Sequence, residues 1–258
     1  MQILEYIFIG VLQGLTEFLP VSSSAHMVIA QHWLKLNAPG ILVEVAFHVA
    51  TLISVVLVYR RDLWRLLCGR NWRLLGLLAA ATVVTVLLIL PFKNWLSALP
   101  DAPGAVHICG AMLLVTAAWL ALADWRIARA KPTRELRWPG ALLIGLAQGI
   151  AALPGISRSG ATIGMGLQLG MEREEAARFS FLLSIPVILG AGLLEMLDVK
   201  EQLQGVNVNV AGIGLGFVAA TLSGIAAIYF LLWMLKRARF AYFAIYAALL
   251  GVVALLIG

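Results

Sequence analysis

Residues 13–26 read Gln-Gly-Leu-Thr-Glu-Phe-Leu-Pro-Val-Ser-Ser-Ser-Ala-His, and residues 154–162 read Pro-Gly-Ile-Ser-Arg-Ser-Gly-Ala-Thr. Each of these polar, proline-containing stretches interrupts a long apolar region, the first at 3–34 and the second at 139–170. The apolar arms on either side are shorter than the roughly 20 residues that a helix needs to cross a bilayer. Backbone groups freed at such a break must be hydrogen-bonded within the protein or line a cavity. Both regions are therefore predicted to be re-entrant helical hairpins that reach the middle of the membrane and return.

The composition of the 258-residue chain is that of a membrane protein, since 62% of its residues are apolar, 12% are charged and the mean hydropathy is +0.94. A soluble domain carries about 45–50% apolar and roughly 25% charged residues. This excludes a water-soluble globule, a disordered chain and a nucleic-acid binder, although the net charge is +6. We expect an all-α polytopic membrane protein, one membrane domain over 1–258, with six transmembrane helices beside the two hairpins. The predicted spans are 41–59, 74–92, 105–123, 177–196, 210–235 and 240–257.

The distribution of basic residues predicts the orientation of this layout. Most of the 19 lysine and arginine residues fall in loops on one side of it. Basic loops stay on the cytoplasmic side of a membrane. The first hairpin is therefore expected to enter the membrane from the outer side and the second from the cytoplasmic side. Both chain termini are expected to lie outside the cytoplasm. The basic loops lie within 60–73, 126–137, 173–178 and 236–239.

The two broken regions also resemble each other in sequence. A Gln-Gly pair begins nine residues before Ser22 in the first region and nine residues before Ser157 in the second, with a Leu-Pro pair between in both. The predicted layout inserts the two halves, about 1–125 and 138–258, with opposite sense. This is an inverted repeat, and inverted repeats with broken helices place a binding site near the midplane of the membrane.

Glu17 and Arg158 are the ionisable residues closest to the two breaks. An ionised side chain near the bilayer centre costs about 2.5–3.5 kcal/mol or more, so each should face a cavity and have a partner. The simpler interpretation is an ion pair that joins the hairpins. The alternative is an anion site, because helix N-termini and an arginine fork both bind phosphate oxygens, and two such helix ends favour a diphosphate. The candidate substrate-binding residues are Gln13, Ser22, Ser24, His48, Ser157, Ser159, Gly160 and Thr162.

Groups suited to hydrolysis accompany this anion site. Ser23 and His26 are three residues apart, on one face of the second arm of the first hairpin. A hydroxyl beside an imidazole is the minimal activated nucleophile. Glu17 could orient His26, act as a general base, or bind a divalent cation that bridges phosphate oxygens. The candidate catalytic residues are Glu17, Ser23, His26 and Arg158.

The motifs at 13–26 and 154–163, with Phe-Ser-Phe-Leu-Leu-Ser-Ile-Pro at 179–186, resemble those of the bacterial undecaprenyl-diphosphate phosphatases, also called bacitracin-resistance proteins. The resemblance implies a multi-pass enzyme of the bacterial cytoplasmic membrane, with periplasmic termini. It would hydrolyse undecaprenyl diphosphate to undecaprenyl phosphate and inorganic phosphate, which regenerates the lipid carrier for cell-wall synthesis and gives bacitracin resistance. By position, the resemblance implies Glu17 as an essential acid, Ser23 and His26 as nucleophile or its activator, and Arg158 as the phosphate clamp.

The same resemblance implies a divalent cation, magnesium or calcium, at Glu17. Many relatives carry a second glutamate where this chain has Gln13, and a neutral amide supplies no second negative ligand. The expected partners are a polyprenyl diphosphate lipid and the bilayer, with a homodimer left open and nucleic acid excluded. The competing hypothesis is a transporter or flippase of a lipid phosphate, since inverted repeats with broken helices are also the architecture of secondary carriers.

Overall fold

The computed structural model describes residues 2–34, 40–127, 135–202, 209–237 and 240–258. Over these ranges the chain is all-α, as the composition predicts. The helices are α1 (Ile3–Phe18), α2 (Ser23–Leu34), α3 (Ile41–Val58), α4 (Arg60–Leu67), α5 (Trp72–Ile89), α6 (Lys93–Ala98), α7 (Ala105–Ile127), α8 (Trp138–Ile150), α9 (Arg158–Gln168), α10 (Arg173–Gln202), α11 (Val210–Lys236) and α12 (Ala241–Ile257), with a 3-10 turn at Leu90–Phe92 between α5 and α6.

Several of these helices are long and apolar enough to cross a membrane, so the protein is a multi-pass membrane protein. A fifth crossing is possible if α3 and α4, which bend by 80° at Tyr59, count as one span. The last predicted span corresponds to α12, whose 17 residues fall short of the usual length for a crossing. The described helices that meet the length and hydropathy of a crossing are Trp72–Ala98, Ala105–Arg126, Arg173–Leu194 and Val210–Lys236.

Helix α4 corrects the expectation that a plain basic loop follows the span at 41–59. Its charged residues alternate with leucine and tryptophan at helical spacing, and it turns sharply away from α3. Trp64 and Leu67 are exposed on it, as is typical of a helix that lies at a membrane interface. Arg178, at the end of the predicted basic loop 173–178, lies on α10 and forms an ion pair with Asp62 of α4 at 2.6 Å, which ties the two helices together.

Both apolar hairpin regions are broken where the sequence predicts. Helix α1 ends at Phe18 and α2 begins at Ser23, and α8 ends at Ile150 while α9 begins at Arg158. Proline lies in both breaks, where it removes a backbone donor and disfavours helix in the residue before it. At the second break the Ser157 side chain accepts a hydrogen bond from the Gly160 amide and so caps α9.

The two broken helices pack against the half of the chain to which they do not belong. Helix α1 lies along α11, and α8 lies along α5. A β-carbon built on Gly10 would lie 2.2 Å from the Gly216 carbonyl oxygen, and one built on Gly145 would lie 2.4 Å from the Ala81 carbonyl oxygen. Small residues of this kind let membrane helices approach closely. The register that aligns Gln13 with Gln148 also aligns Gly10 with Gly145, and Ala81 with Gly216. The two contacts are therefore equivalent.

Candidate active site

A cavity of about 180 Å³ lies where the two breaks meet. The first break supplies a run of hydroxyls and Glu17, the second supplies Arg158, and α3 contributes His48. Helix α10 closes the remaining side with small and aliphatic residues. The lining residues are Thr16, Glu17, Ser22, Ser23, Ser24, His48, Ala151, Ile156, Ser157, Arg158, Val187, Ile188, Ala191 and Gly192.

The carboxylate of Glu17 lies at the centre of the polar contacts in this cavity. The Arg158 Nη2 atom donates to Glu17 Oε1 at 2.7 Å, and the Ser23 hydroxyl donates to Glu17 Oε2 at 2.8 Å. The Gln13 side-chain amide also donates to Oε2, at 3.0 Å. Three donors on two oxygens favour the ionised acid. The sequence predicts that an acid, an alcohol and the His26 imidazole of one break share a pocket with the arginine of the other. The cavity contains the acid, the alcohol and the arginine, but His26 is not among the residues that line it.

Arg158 keeps unused hydrogen-bonding capacity beside this pair. Its side chain is 16% exposed, and its Nη1 atom is buried without a hydrogen-bond partner among the described residues. Buried polar groups are normally hydrogen-bonded, and an exception calls for an explanation. Because a guanidinium can hold two oxygens of one phosphate, this unused donor is what an anion site would require.

The serines of the two breaks bond in matching patterns. The hydroxyls of Ser22 and Ser24 lie 3.1 Å apart, and those of Ser157 and Ser159 lie 3.2 Å apart. The Ser159 hydroxyl donates to the Leu19 carbonyl at 3.0 Å, so it joins the second break to the first. These hydrogen bonds hold the two breaks against each other. Ser22, Ser24 and Ser157 also line the cavity.

The remaining predicted binding residues lie at different distances from the cavity. His48 lines it, with Nδ1 3.0 Å from the Glu44 carbonyl oxygen. The Thr162 hydroxyl, one turn into α9, contacts the Ser180 hydroxyl at 2.6 Å and the Arg158 carbonyl at 2.8 Å. Gly160 donates its amide to the N-cap serine. The roles of Thr162 and Gly160 in phosphate binding stay predictions.

His26 does not take the place beside Ser23 that the spacing of three residues suggests. Its Nδ1 atom lies 2.7 Å from the Ser22 carbonyl oxygen, and its Nε2 atom lies 2.8 Å from the hydroxyl of Tyr246 on α12. The two rings stack with centroids 5.7 Å apart. The structure thus adds Tyr246, which sequence reasoning missed because it lies on the last helix and no local motif marks it.

The residues around Glu17 do not fit a divalent cation held by the protein. Calcium takes about six to eight oxygen ligands, and magnesium takes about six, of which one or two are usually protein carboxylates with free oxygen lone pairs. Glu17 is a single carboxylate that already accepts three hydrogen bonds, and Gln13 turns its N–H toward it. Over the described part of the chain no three His, Cys, Asp or Glu residues come together at one point. The cation at Glu17 stays a prediction.

A larger cavity, of about 460 Å³, lies between the start of α5 and the start of α10. Four of its charged residues form ion pairs, Arg73 with Glu135 and Arg178 with Glu175, and no hydroxyl side chain is among its described lining residues. The smaller cavity is the better candidate for the active site because it alone combines a buried acid, an alcohol and an arginine with an unused donor.

These observations define a multi-pass α-helical membrane protein with a buried acid–arginine site at the junction of two broken helices. Residues 6–253 match the family model of the bacitracin resistance protein BacA, so the chain belongs to that family. It is 37% identical over 264 residues to an undecaprenyl-diphosphatase of Halothermothrix orenii, with 100% of this chain and 98% of the relative covered. A protein of the same name from Carboxydothermus hydrogenoformans is 38% identical over 258 residues, covering 98% and 96%. One from Syntrophotalea carbinolica is 39% identical over 264 residues, covering 97% of each.

Proposed function

We propose that this chain hydrolyses undecaprenyl diphosphate to undecaprenyl phosphate and inorganic phosphate, and so regenerates the lipid carrier of cell-wall synthesis and gives bacitracin resistance. The observation that carries the proposal is the contact of Arg158 and Ser23 with the two oxygens of Glu17 inside one cavity. Full-length similarity to undecaprenyl-diphosphatases supports the same substrate.

Binding of the diphosphate begins with Arg158. Its Nη2 atom holds Glu17, which leaves Nη1 to donate to a terminal phosphate oxygen. Ser22, Ser24 and Ser157 offer further hydroxyls around the cavity. Because the site is buried, these contacts are stronger than they would be in water, and they neutralise charge that develops on the phosphate during the reaction.

The chemical step uses the hydrogen bond between Ser23 and Glu17. The Ser23 oxygen attacks the terminal phosphorus while Glu17 accepts its proton, and the bond from that phosphorus to the bridging oxygen breaks. Undecaprenyl phosphate leaves with the electron pair of the broken bond. Glu17 gives the proton to the departing phosphate oxygen and is ionised again. It then takes a proton from the water that attacks the phosphoserine and returns it to the serine oxygen as the P–O bond to serine breaks, so inorganic phosphate and the serine hydroxyl are released. His26 has no part in these steps, because both its ring nitrogens are engaged elsewhere.

The polyprenyl chain leaves the cavity along α10 in this proposal. The wall of the cavity on that side consists of Val187, Ile188, Ala191 and Gly192. A β-carbon built on Gly192 would lie 3.9 Å from its nearest neighbour, a side-chain atom of Val45, so the wall leaves room for an apolar chain. Apolar lining beside a few polar groups is typical of a site for an amphipathic ligand.

The membrane arrangement proposed here is six transmembrane helices and two re-entrant hairpins in an inverted repeat, with both termini in the periplasm. The equivalent packing of α1 on α11 and of α8 on α5 supports the repeat. The matching serine pairs of the two breaks support it independently. The excess of basic loops on one side supports the orientation in the bacterial inner membrane. A homodimer stays a prediction.

A transporter or flippase of a lipid phosphate is the competing function, because an inverted repeat with a cavity at its breaks also suits transport. The feature that favours hydrolysis is the Ser23 hydroxyl on the Glu17 carboxylate. Transport of an anion requires the arginine but does not require an alcohol hydrogen-bonded to a base.

The experiment is phosphate release from undecaprenyl diphosphate by the purified protein in detergent micelles. We expect steady release by the wild type and release at background by Arg158→Ala. Arg73→Ala is the matched control, because it removes an arginine of an exposed ion pair and should keep wild-type activity. A wild-type protein that binds the lipid but releases no phosphate would refute hydrolysis and favour transport.

A further inference from the structure

Ser22 adopts a backbone conformation that residues with a β-carbon rarely adopt. Its φ is +66°, and it is the one non-glycine residue with positive φ over the described ranges. Ser157 holds the matching place in the second break, yet its φ is −74°. Strained conformations of this kind persist only where the surroundings hold them, and they concentrate at functional sites. Something at the first break therefore holds Ser22 in this conformation.

His26 is the residue that contacts the Ser22 carbonyl. Its Nδ1 atom lies 2.7 Å from that oxygen, and its own backbone N–H donates to the same oxygen at 3.3 Å. A carbonyl oxygen can only accept, so Nδ1 must carry the proton. In the neutral ring Nε2 is then the acceptor, and its partner is the Tyr246 hydroxyl at 2.8 Å.

The second break provides an internal comparison. The residue that corresponds to His26 there is Ala161, which has no side-chain donor, and Ser157 keeps ordinary extended backbone. The histidine and a positive φ at the serine before the second helix thus occur together in the first break, and neither is present at the matching positions of the second, where the positive φ lies at Gly155 instead. Ser23, which directly follows Ser22, is the residue whose hydroxyl reaches Glu17.

We propose that His26 is a positioning residue, held by Tyr246, which fixes the Ser22 turn and thereby directs the Ser23 hydroxyl onto Glu17. The proposal deepens the function given above and rests on it. His26 acts through the Ser22 carbonyl and contacts no reacting atom. Tyr246 acts through the imidazole, where its hydrogen bond and stacked ring keep the ring from rotating.

A matched pair of amide variants tests the role of His26. In His26→Asn the side-chain N–H takes the place of Nδ1 and can still donate to the Ser22 carbonyl, but no basic nitrogen remains. In His26→Gln the amide instead takes the place of Nε2 and misses that carbonyl. We expect the kcat of His26→Asn to stay within about 10-fold of wild type and at least about 10-fold above those of His26→Gln and His26→Ala. Because a general base supplies about 100- to 10,000-fold, a base would be lost equally in all three variants.

Tyr246→Phe tests the second contact. Removal of its hydroxyl should lower kcat about 2- to 10-fold, the value of one hydrogen bond, with KM unchanged. The same change made in His26→Asn should have no further effect, because asparagine does not reach Tyr246. Tyr229→Phe, on an exposed part of α11, is the control and should match the wild type.

Melting temperature and elution profile in detergent establish that each variant is folded. The proposal is overturned if folded His26→Asn is as inactive as His26→Ala, or if Tyr246→Phe lowers kcat equally with and without His26. Either result leaves the difference between wild type and Arg158→Ala intact. If the proposed function itself were wrong, the wild type would release no phosphate. That result differs from both results that overturn the role of His26.

Discussion

Replacement of Glu17 by glutamine separates binding from chemistry at this site. The amide has nearly the shape of the carboxylate but carries no charge and cannot accept a proton as a base. Ser23 and Arg158 each donate to a different oxygen of Glu17, at 2.8 Å and 2.7 Å. The amide offers one oxygen in place of two, so one of these contacts must be lost.

The size of the effect follows from the burial of the pair. The Glu17 and Arg158 side chains are 8% and 16% exposed, so the variant leaves a largely buried cation without its counter-ion. Removal of one partner from a buried ion pair costs about 3–5 kcal/mol of stability. Because the amide oxygen still accepts one hydrogen bond, we expect the lower end, about 3 kcal/mol. Loss of a general base lowers kcat by about 100- to 10,000-fold.

The affinity of Glu17→Gln for a substrate analogue should not fall as its kcat does. In the wild type the Glu17 carboxylate on Nη2 neutralises the charge of Arg158 and repels the phosphate, whereas the amide of Glu17→Gln carries no charge. We therefore expect the variant to bind a non-hydrolysable prenyl bisphosphonate at least as tightly as the wild type. Phosphate release, equilibrium binding and thermal unfolding in the same detergent measure the three quantities.

Glu135→Gln is the matched control, since Glu135 pairs with Arg73 on the surface and is 82% exposed. Exposed ion pairs contribute about 0–1 kcal/mol, so this variant should resemble the wild type in every measurement. The reasoning is refuted if Glu17→Gln keeps kcat within about 10-fold of wild type, or if it binds the bisphosphonate more weakly while it remains folded.

Further substitutions test the clamp, the packing and the lipid path. Arg158→Lys keeps the charge but loses the fork that holds Glu17 and the phosphate at once, so KM should rise about 10- to 150-fold, the value of one charge-assisted hydrogen bond of about 1.5–3 kcal/mol; an unchanged KM would contradict the contact of Nη1 with the phosphate. Gly10→Ala places a methyl group against the Gly216 carbonyl and should lower stability by about 1–3 kcal/mol in thermal unfolding, whereas Gly214→Ala has open space and should not. Gly192→Leu fills the wall along α10 and should raise KM for undecaprenyl diphosphate without loss of thermal stability; an unchanged KM would place the lipid elsewhere.

The sequence predicts the centre of the site because the rule involved is strict. A charged residue within an apolar region needs a partner, and Glu17 and Arg158 are the charges next to the two breaks. The same reasoning from segment length predicts the breaks themselves, which the structure has at 19–22 and 151–157. Both predictions depend on properties that can be read along the chain.

Contacts between distant segments account for what sequence reasoning missed. Helical spacing predicts that His26 lies beside Ser23, yet its partner Tyr246 lies 220 residues away and depends on how α12 packs. Arg178 falls in a predicted basic loop, and its pairing with Asp62 depends on the bend between α3 and α4, which the local sequence does not reveal. Spacing identifies the neighbours of a residue on its own helix, but not the helix that packs against it.

An experimental structure with a non-hydrolysable prenyl bisphosphonate tests the central claim most directly. We expect the terminal phosphonate in the cavity between the two breaks, with oxygens within about 3 Å of Arg158 Nη1 and of the Ser23 hydroxyl. The prenyl chain should follow α10 past Gly192. A headgroup bound in the larger cavity beside Arg73 and Arg178, with the space between Glu17 and Arg158 empty, would contradict it.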